Sequence, residues 1–151
     1  GEERFAKRIA REIVRVRQIA RQTGRLGIET TNELAEIITK IRPKTKGDRM
    51  HPATRVFQAL RVAVNSELDN LTLALEQASE LLDVGGRLVV ISFHSLEDRI
   101  VKGYVRSHTD LLRILTDKPV VATEEEIMNN PRARSGKLRA GEKLPNNSIN
   151  Q

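Results

Sequence analysis

The chain has 151 residues, with 26 Lys and Arg against 20 Asp and Glu, a formal net charge of +6. That length holds one ordinary domain or two small ones, and 38% hydrophobic with 30% charged residues is a globular rather than a disordered composition. The absence of cysteine excludes disulfide frameworks, thiolate-bound zinc and thiol nucleophiles, and 3% aromatic residues nearly exclude aromatic base-stacking platforms.

A cysteine-free chain suits a reducing cytosol. No apolar run approaches the ~20 residues of a membrane span, and no signal peptide is visible, so a cytoplasmic protein with no membrane partner is expected. A start at Gly1 rather than Met is that of a processed product or a fragment. Residues 1–50 hold 13 basic and 7 acidic side chains, so the whole positive excess can be assigned to the first third. A focused basic surface suits a polyanionic partner; a well-solvated Arg-rich helix is the alternative.

In chain order, Phe5, Ile9, Ile13, Val16 and Ala20 recur at helical spacing. Arg4, Arg8, Arg11 and Arg15 fall on nearly the opposite face, which predicts an amphipathic helix with an arginine ridge. Gly24 and Gly27 break it. Thr30 and Glu33 match a T-x-x-E capping box opening a short helix over Leu34, Ile37, Ile38 and Ile41, which Pro43 ends. Residues 44–50 read as an exposed basic loop. After Pro52, apolar residues from Phe57 to Leu82 step by three or four, which predicts one long helix or two nearly collinear ones.

Gly85 and Gly86 stop that helix, and Leu88 to Ile91 reads as a strand buried on both faces, the mark of a parallel sheet. Ser95 and Asp98 are expected to cap a helix from Leu96 to about Ser107. A short strand is expected over 112–115, and a helix opens at the Thr123/Glu126 box and ends at Pro131. Residues 137–144 alternate weakly, as an edge-like last strand does, and 145–151 form a polar tail.

Helix, Gly-Gly, buried strand, then a polar turn into a helix is an α/β unit, whose ligands sit beyond the carboxyl ends of the strands. The candidate site therefore falls on Ser92, His94 and Ser95, with Glu97, Asp98 and Arg99 in the first helical turn. The bland readings are an ordinary N-cap for Ser95 and a satisfied turn histidine for His94. No G-x-G-x-x-G or P-loop is present, the Gly-Gly pair precedes the strand, and His51, His94 and His108 lack metal-ligand spacing. No metal is assigned.

Residues 51–61 (HPATRVFQALR), 65–68 (NSEL) and 85–102 (GGRLVVISFHSLEDRIVK) resemble the bacterial ribosomal small-subunit RNA methyltransferase H family, also called MraW. Residues 1–9 (GEERFAKRI), 30–35 (TTNELA) and 130–139 (NPRARSGKLR) extend the resemblance over nearly the whole chain in the family's order. It implies an S-adenosyl-L-methionine-dependent enzyme that methylates N4 of a cytidine in 16S rRNA at the decoding centre of the small ribosomal subunit. The implied fold is α/β: the C-terminal part of a class I (Rossmann-like) methyltransferase sheet, preceded by helices of an inserted helical domain. Residues 1–50 would belong to that basic, RNA-facing helical domain, 51–144 to the methyltransferase domain, and 145–151 to a flexible tail. The chain resembles only the family's C-terminal half. The family's glycine-rich cofactor loop and ribose-binding acid lie upstream of the match, so no cofactor-binding residue is assigned here and this chain alone is expected to be inactive.

On that resemblance, His94 or Ser92 would orient the base, and Glu67 or Asn65 would accept from the amine. Arg55, Arg61, Arg99 and Ser95, with the ridge Arg4, Arg8, Arg11 and Arg15, would hold the RNA. Two other readings stand beside the enzyme: a non-catalytic basic RNA- or ribosome-binding module, and a half-sheet that forms a homodimer through exposed strand edges.

Overall fold

The computed structural model describes residues 3–48 and 50–145, so the expected tail beyond Pro145 lies outside the described residues. The chain divides into two compact units, residues 1–65 and 66–151.

The first unit is helical: α1 (Ala6–Gln22), α2 (Thr31–Ile41) and α3 (Thr54–Val64). Helix α1 buries Ile9 and Ala20 and keeps its arginines in solvent, as the periodicity predicts. Its end is a Schellman turn: Arg25 N–H donates to Ala20 O at 2.9 Å and Gly24 takes φ +76°, a conformation that glycine alone adopts without strain. Helix α2 opens at Thr30, whose hydroxyl accepts from Glu33 N at 3.1 Å. The Glu33 carboxylate reaches back one residue further than a capping box requires, accepting from Glu29 N at 2.9 Å. Ile9, Ile38 and Ala53 form the core, with Phe5, Ile13, Leu34, Val56 and Phe57 packed on it. Helix α3 packs on the same core as α1 and α2 through Val56 and Phe57.

The apolar pattern running from Phe57 to Leu82 is two helices, because Ser66 sits at φ 49°, the left-handed region, between α3 and α4 (Glu67–Leu81).

In the second unit, α4 leads through Gly85 and Gly86 to β1 (Arg87–Ser92), then α5 (Ser95–Ser107), β2 (Leu112–Ile114), β3 (Val120–Val121), α6 (Glu124–Asn129), a 3-10 turn (Pro131–Ser135) and β4 (Lys137–Lys143). A Cβ on Gly86 would lie 2.8 Å from Asp83 O, so only glycine fits that turn. Leu75, Leu88, Val101, Tyr104, Val105 and Leu112 make one core under α4 and α5. Fully burying residues such as Val101 and Leu112 is worth about 1.5–3 kcal/mol each.

Three expectations are corrected here. All described strand pairing is antiparallel, not parallel, and β1 is buried on one face only: Leu88 and Ser92 point inward, while Val89 and Ile91 are 53% and 56% exposed. Strand β4 is central rather than an edge. One of its sides pairs with β1 along residues 137–142, and the other takes β3 at 137–138 and β2 at 141–143. Finally, His94 caps α5, one residue before the expected Ser95, which is the first residue of the helix. Asp98 is turned to β4 instead, where it pairs with Arg139.

Candidate functional site

Strand β1 ends at Ser92, and the chain turns into α5 through a reciprocal pair. Glu97 N–H donates to His94 Nδ1 at 3.3 Å, and Glu97 Oε2 accepts from Phe93 N at 2.8 Å and His94 N at 3.2 Å. A histidine does here what Ser or Asp usually does at a helix start. Since Nδ1 spends its lone pair on that backbone amide, the proton of the neutral ring sits on Nε2.

That Nε2 is buried and makes no hydrogen bond among the described residues, although Glu97 Oε1 lies 3.2 Å away without the alignment a hydrogen bond needs. Glu67, the first residue of α4, completes a cluster: atoms of Glu67, His94 and Glu97 all lie within 4.8 Å of one another. By donor type the trio suits a divalent cation. With Nδ1 already an acceptor, however, the arrangement is an N–H facing two carboxylates rather than a ready ligand set. Chain spacing alone could not show it, because Glu67 arrives from another helix.

Other expected residues are placed differently. Ser92 is 1% exposed and its Oγ makes no hydrogen bond among the described residues, so it lies beneath the surface and not at an open edge. Ser95 is half-buried at the start of α5, and Arg99 is exposed one turn on. Asn65 closes α3 in the first unit, where Arg55 is half-buried and Arg61 exposed. On α1 the ridge is exposed, but Glu12 interrupts its charge: Arg15 Nη2 lies 2.6 Å from Glu12 Oε1. That contact lowers the Glu12 pKa and raises that of Arg15. Arg8 instead lies over the Phe5 ring, 5.7 Å from its centroid.

The described residues of β1's end do not fit S-adenosylmethionine. Its amino-acid and ribose ends need open backbone amides and an acidic partner, yet the Phe93 and His94 amides already donate to Glu97. The neighbouring open groove, about 400 Å³, is mostly apolar, lined by Ile91, Phe93, Val120, Val121 and Leu138 among others.

Residues 1–144 match the MraW methylase family. The chain belongs to that family. It is similar to proteins named ribosomal RNA small subunit methyltransferase H. Identity is 53% to that of Nostoc punctiforme, over 95% of this chain and 45% of the relative. It is 52% to that of Acidobacterium capsulatum, over 95% of this chain and 46% of the relative. The chain thus spans about half the length of these curated relatives. Its mixed helices and antiparallel sheet fit the C-terminal part of an α/β methyltransferase. No helix among the described residues is long and apolar enough to cross a membrane.

Proposed function

We propose that the whole protein methylates N4 of a cytidine in the 16S rRNA of the small ribosomal subunit, with S-adenosylmethionine as methyl donor, and that this chain supplies the acceptor side. The observation that carries the reading is the Glu67–His94–Glu97 cluster at the end of β1, within a chain that matches a methylase family from end to end of its fold.

The exocyclic amine of cytosine is a poor nucleophile, because its lone pair is delocalised into the ring. A carboxylate accepting one of its hydrogens favours a localised lone pair and takes the proton that the reaction releases. Glu67 has that role. His94, fixed by its cap, braces the Glu67–Glu97 side of the site against which the base is set. Glu97 holds His94 in place through the two amides. Positioning of this kind is where most of the rate of such a transfer arises. The base must first leave any stack. Arg99 and Ser95 beside the cluster, Arg55 and Arg61 on α3, and the α1 ridge hold phosphates, contacts that position without reading sequence.

The test is a chimera in which residues 1–144 replace the matching part of the Nostoc punctiforme relative. Small-subunit RNA is then digested to nucleosides after incubation with labelled S-adenosylmethionine. N4-methylcytidine is expected. A folded chimera that transfers no methyl group, or places it on another nucleoside, overturns the reading.

A further inference from the structure

We infer that the groove at the start of α3 is a subsite for one unpaired nucleotide of the RNA, its base stacked on Phe57; the inference rests on the RNA reading above. The groove is open, about 480 Å³, and lined by His51, Ala53, Thr54, Phe57, Gln58 and Arg61, which is within the size range of ligand sites. Thr54, Phe57, Gln58 and Arg61, at positions i, i+3, i+4 and i+7, share one face of α3.

Each lining group matches one part of a nucleotide. Phe57 packs on the Ile9–Ile38–Ala53 core and also lines the groove, so its ring is held from behind and offers a fixed apolar plate. His51, an exposed residue, accepts from Ala53 N at 3.2 Å through Nδ1, which leaves the neutral ring's proton on Nε2 as a donor. The Gln58 amide supplies a donor and an acceptor together, as reading a base edge requires. Arg61, exposed one turn beyond Phe57, brings the planar cation that suits a phosphate. A plate, an edge-reading amide and a cation in one groove is how single-stranded RNA bases are held. A lipid or an apolar peptide would make no use of the polar His51 and Gln58 side chains that line the groove. One ring holds one base, which reconciles the subsite with the chain's scarcity of aromatic residues.

The experiment is fluorescence anisotropy of a short single-stranded oligoribonucleotide with the 151-residue chain. It compares Phe57→Leu, Phe57→Tyr, His51→Ala and Gln58→Ala, with circular dichroism confirming that each variant is folded. Phe57→Leu is expected to weaken binding about tenfold, in the range of one base–aromatic stack, while Phe57→Tyr stays near the parent. Oligonucleotides abasic at successive positions should include one that costs the parent the same factor and costs Phe57→Leu nothing further. If RNA binds but folded Phe57→Leu and His51→Ala match the parent, the subsite is overturned and the RNA reading survives. If the parent binds no RNA at all, both fall.

Discussion

Arg139, in the middle of β4, donates from Nε to Asp98 Oδ1 at 2.7 Å, with the two side chains 8% and 14% exposed. The pair fastens the first turn of α5 to the central strand and so fixes the height of the His94–Glu97 turn above the sheet. Arg139 also donates to Asp117 O at 3.3 Å, and Lys137 Nζ lies 3.5 Å from Asp98 Oδ2. The hydrogen bond from Arg139, then its charge, holds the Asp98 carboxyl below its ordinary pKa.

Removing one partner leaves the other charge nearly buried. Arg139→Met should therefore destabilise the second unit by roughly 3 kcal/mol, read by urea unfolding with Tyr104, the chain's single tyrosine, as a local fluorophore. The pH dependence has a definite sign. Because the folded pKa of Asp98 is depressed, its contribution is fully present above the unfolded value of about 3.9 and is lost as pH falls through the lower folded value. Asp98→Asn should remove that part of the acid sensitivity, so the stability gap between parent and variant narrows below about pH 4. A gap constant from neutral pH to pH 2 would show that the pair contributes nothing through ionisation.

His94 has two separable tasks. His94→Ala loses the cap and should cost about 1 kcal/mol, whereas His94→Asn keeps a side-chain acceptor for Glu97 N and should cost little. Both remove the imidazole from beside Glu67 and Glu97. In the chimera described above, both substitutions and Glu67→Gln should lower kcat/KM about 100-fold. If His94→Asn retains full methyl transfer, the histidine is a cap only.

The ridge on α1 is not uniform, and the ion pair with Glu12 decides which arginines matter. Arg8→Glu with Arg11→Glu should weaken RNA binding and flatten its salt dependence, by about 0.7 in the slope of log K against log salt for each phosphate that is no longer neutralised. Arg15→Glu should do less, since Glu12 already neutralises that position. Equal effects at Arg8, Arg11 and Arg15 would mean that the pair opens freely in solution.

The helices were legible because each rule that makes them is local: a 3.6-residue apolar period in α1, Thr30 and Thr123 as caps, Gly24 and Gly85 as stops. Strand β4 was legible as a strand over 137–144 but not as the central one, because its burial comes from three strands remote in sequence. Its residues, Lys137 to Lys143, include a buried Arg139 whose cost Asp98 offsets, and a window of sequence cannot show a partner 41 residues away. The break at Ser66 was hidden for the opposite reason, since the apolar steps continue through it undisturbed. At the site, His94 and Glu67 could be named from the family's pattern and Glu97 from its place after the strand. Their convergence depends on how α4 packs beside α5, which no spacing encodes.

Strand β1 pairs with β4 on one side only among the described strands, and its outer face carries exposed Val89 and Ile91, followed by exposed Phe93. An edge strand with a free hydrogen-bonding side and an apolar face invites a second strand. Val120 and Val121, 56% and 60% exposed, continue that apolar surface along the groove with Ile91 and Phe93. The isolated chain should therefore self-associate at micromolar concentration, with a sedimentation mass above that of one copy. Val89→Lys with Ile91→Lys should return it to the monomer while leaving the inward-facing Leu88 and Ser92 untouched, because charge on the outer face of an edge opposes pairing without disturbing the core. A parent chain that sediments as a monomer throughout would remove the dimer reading and leave β1's outer face without a self-complementary role.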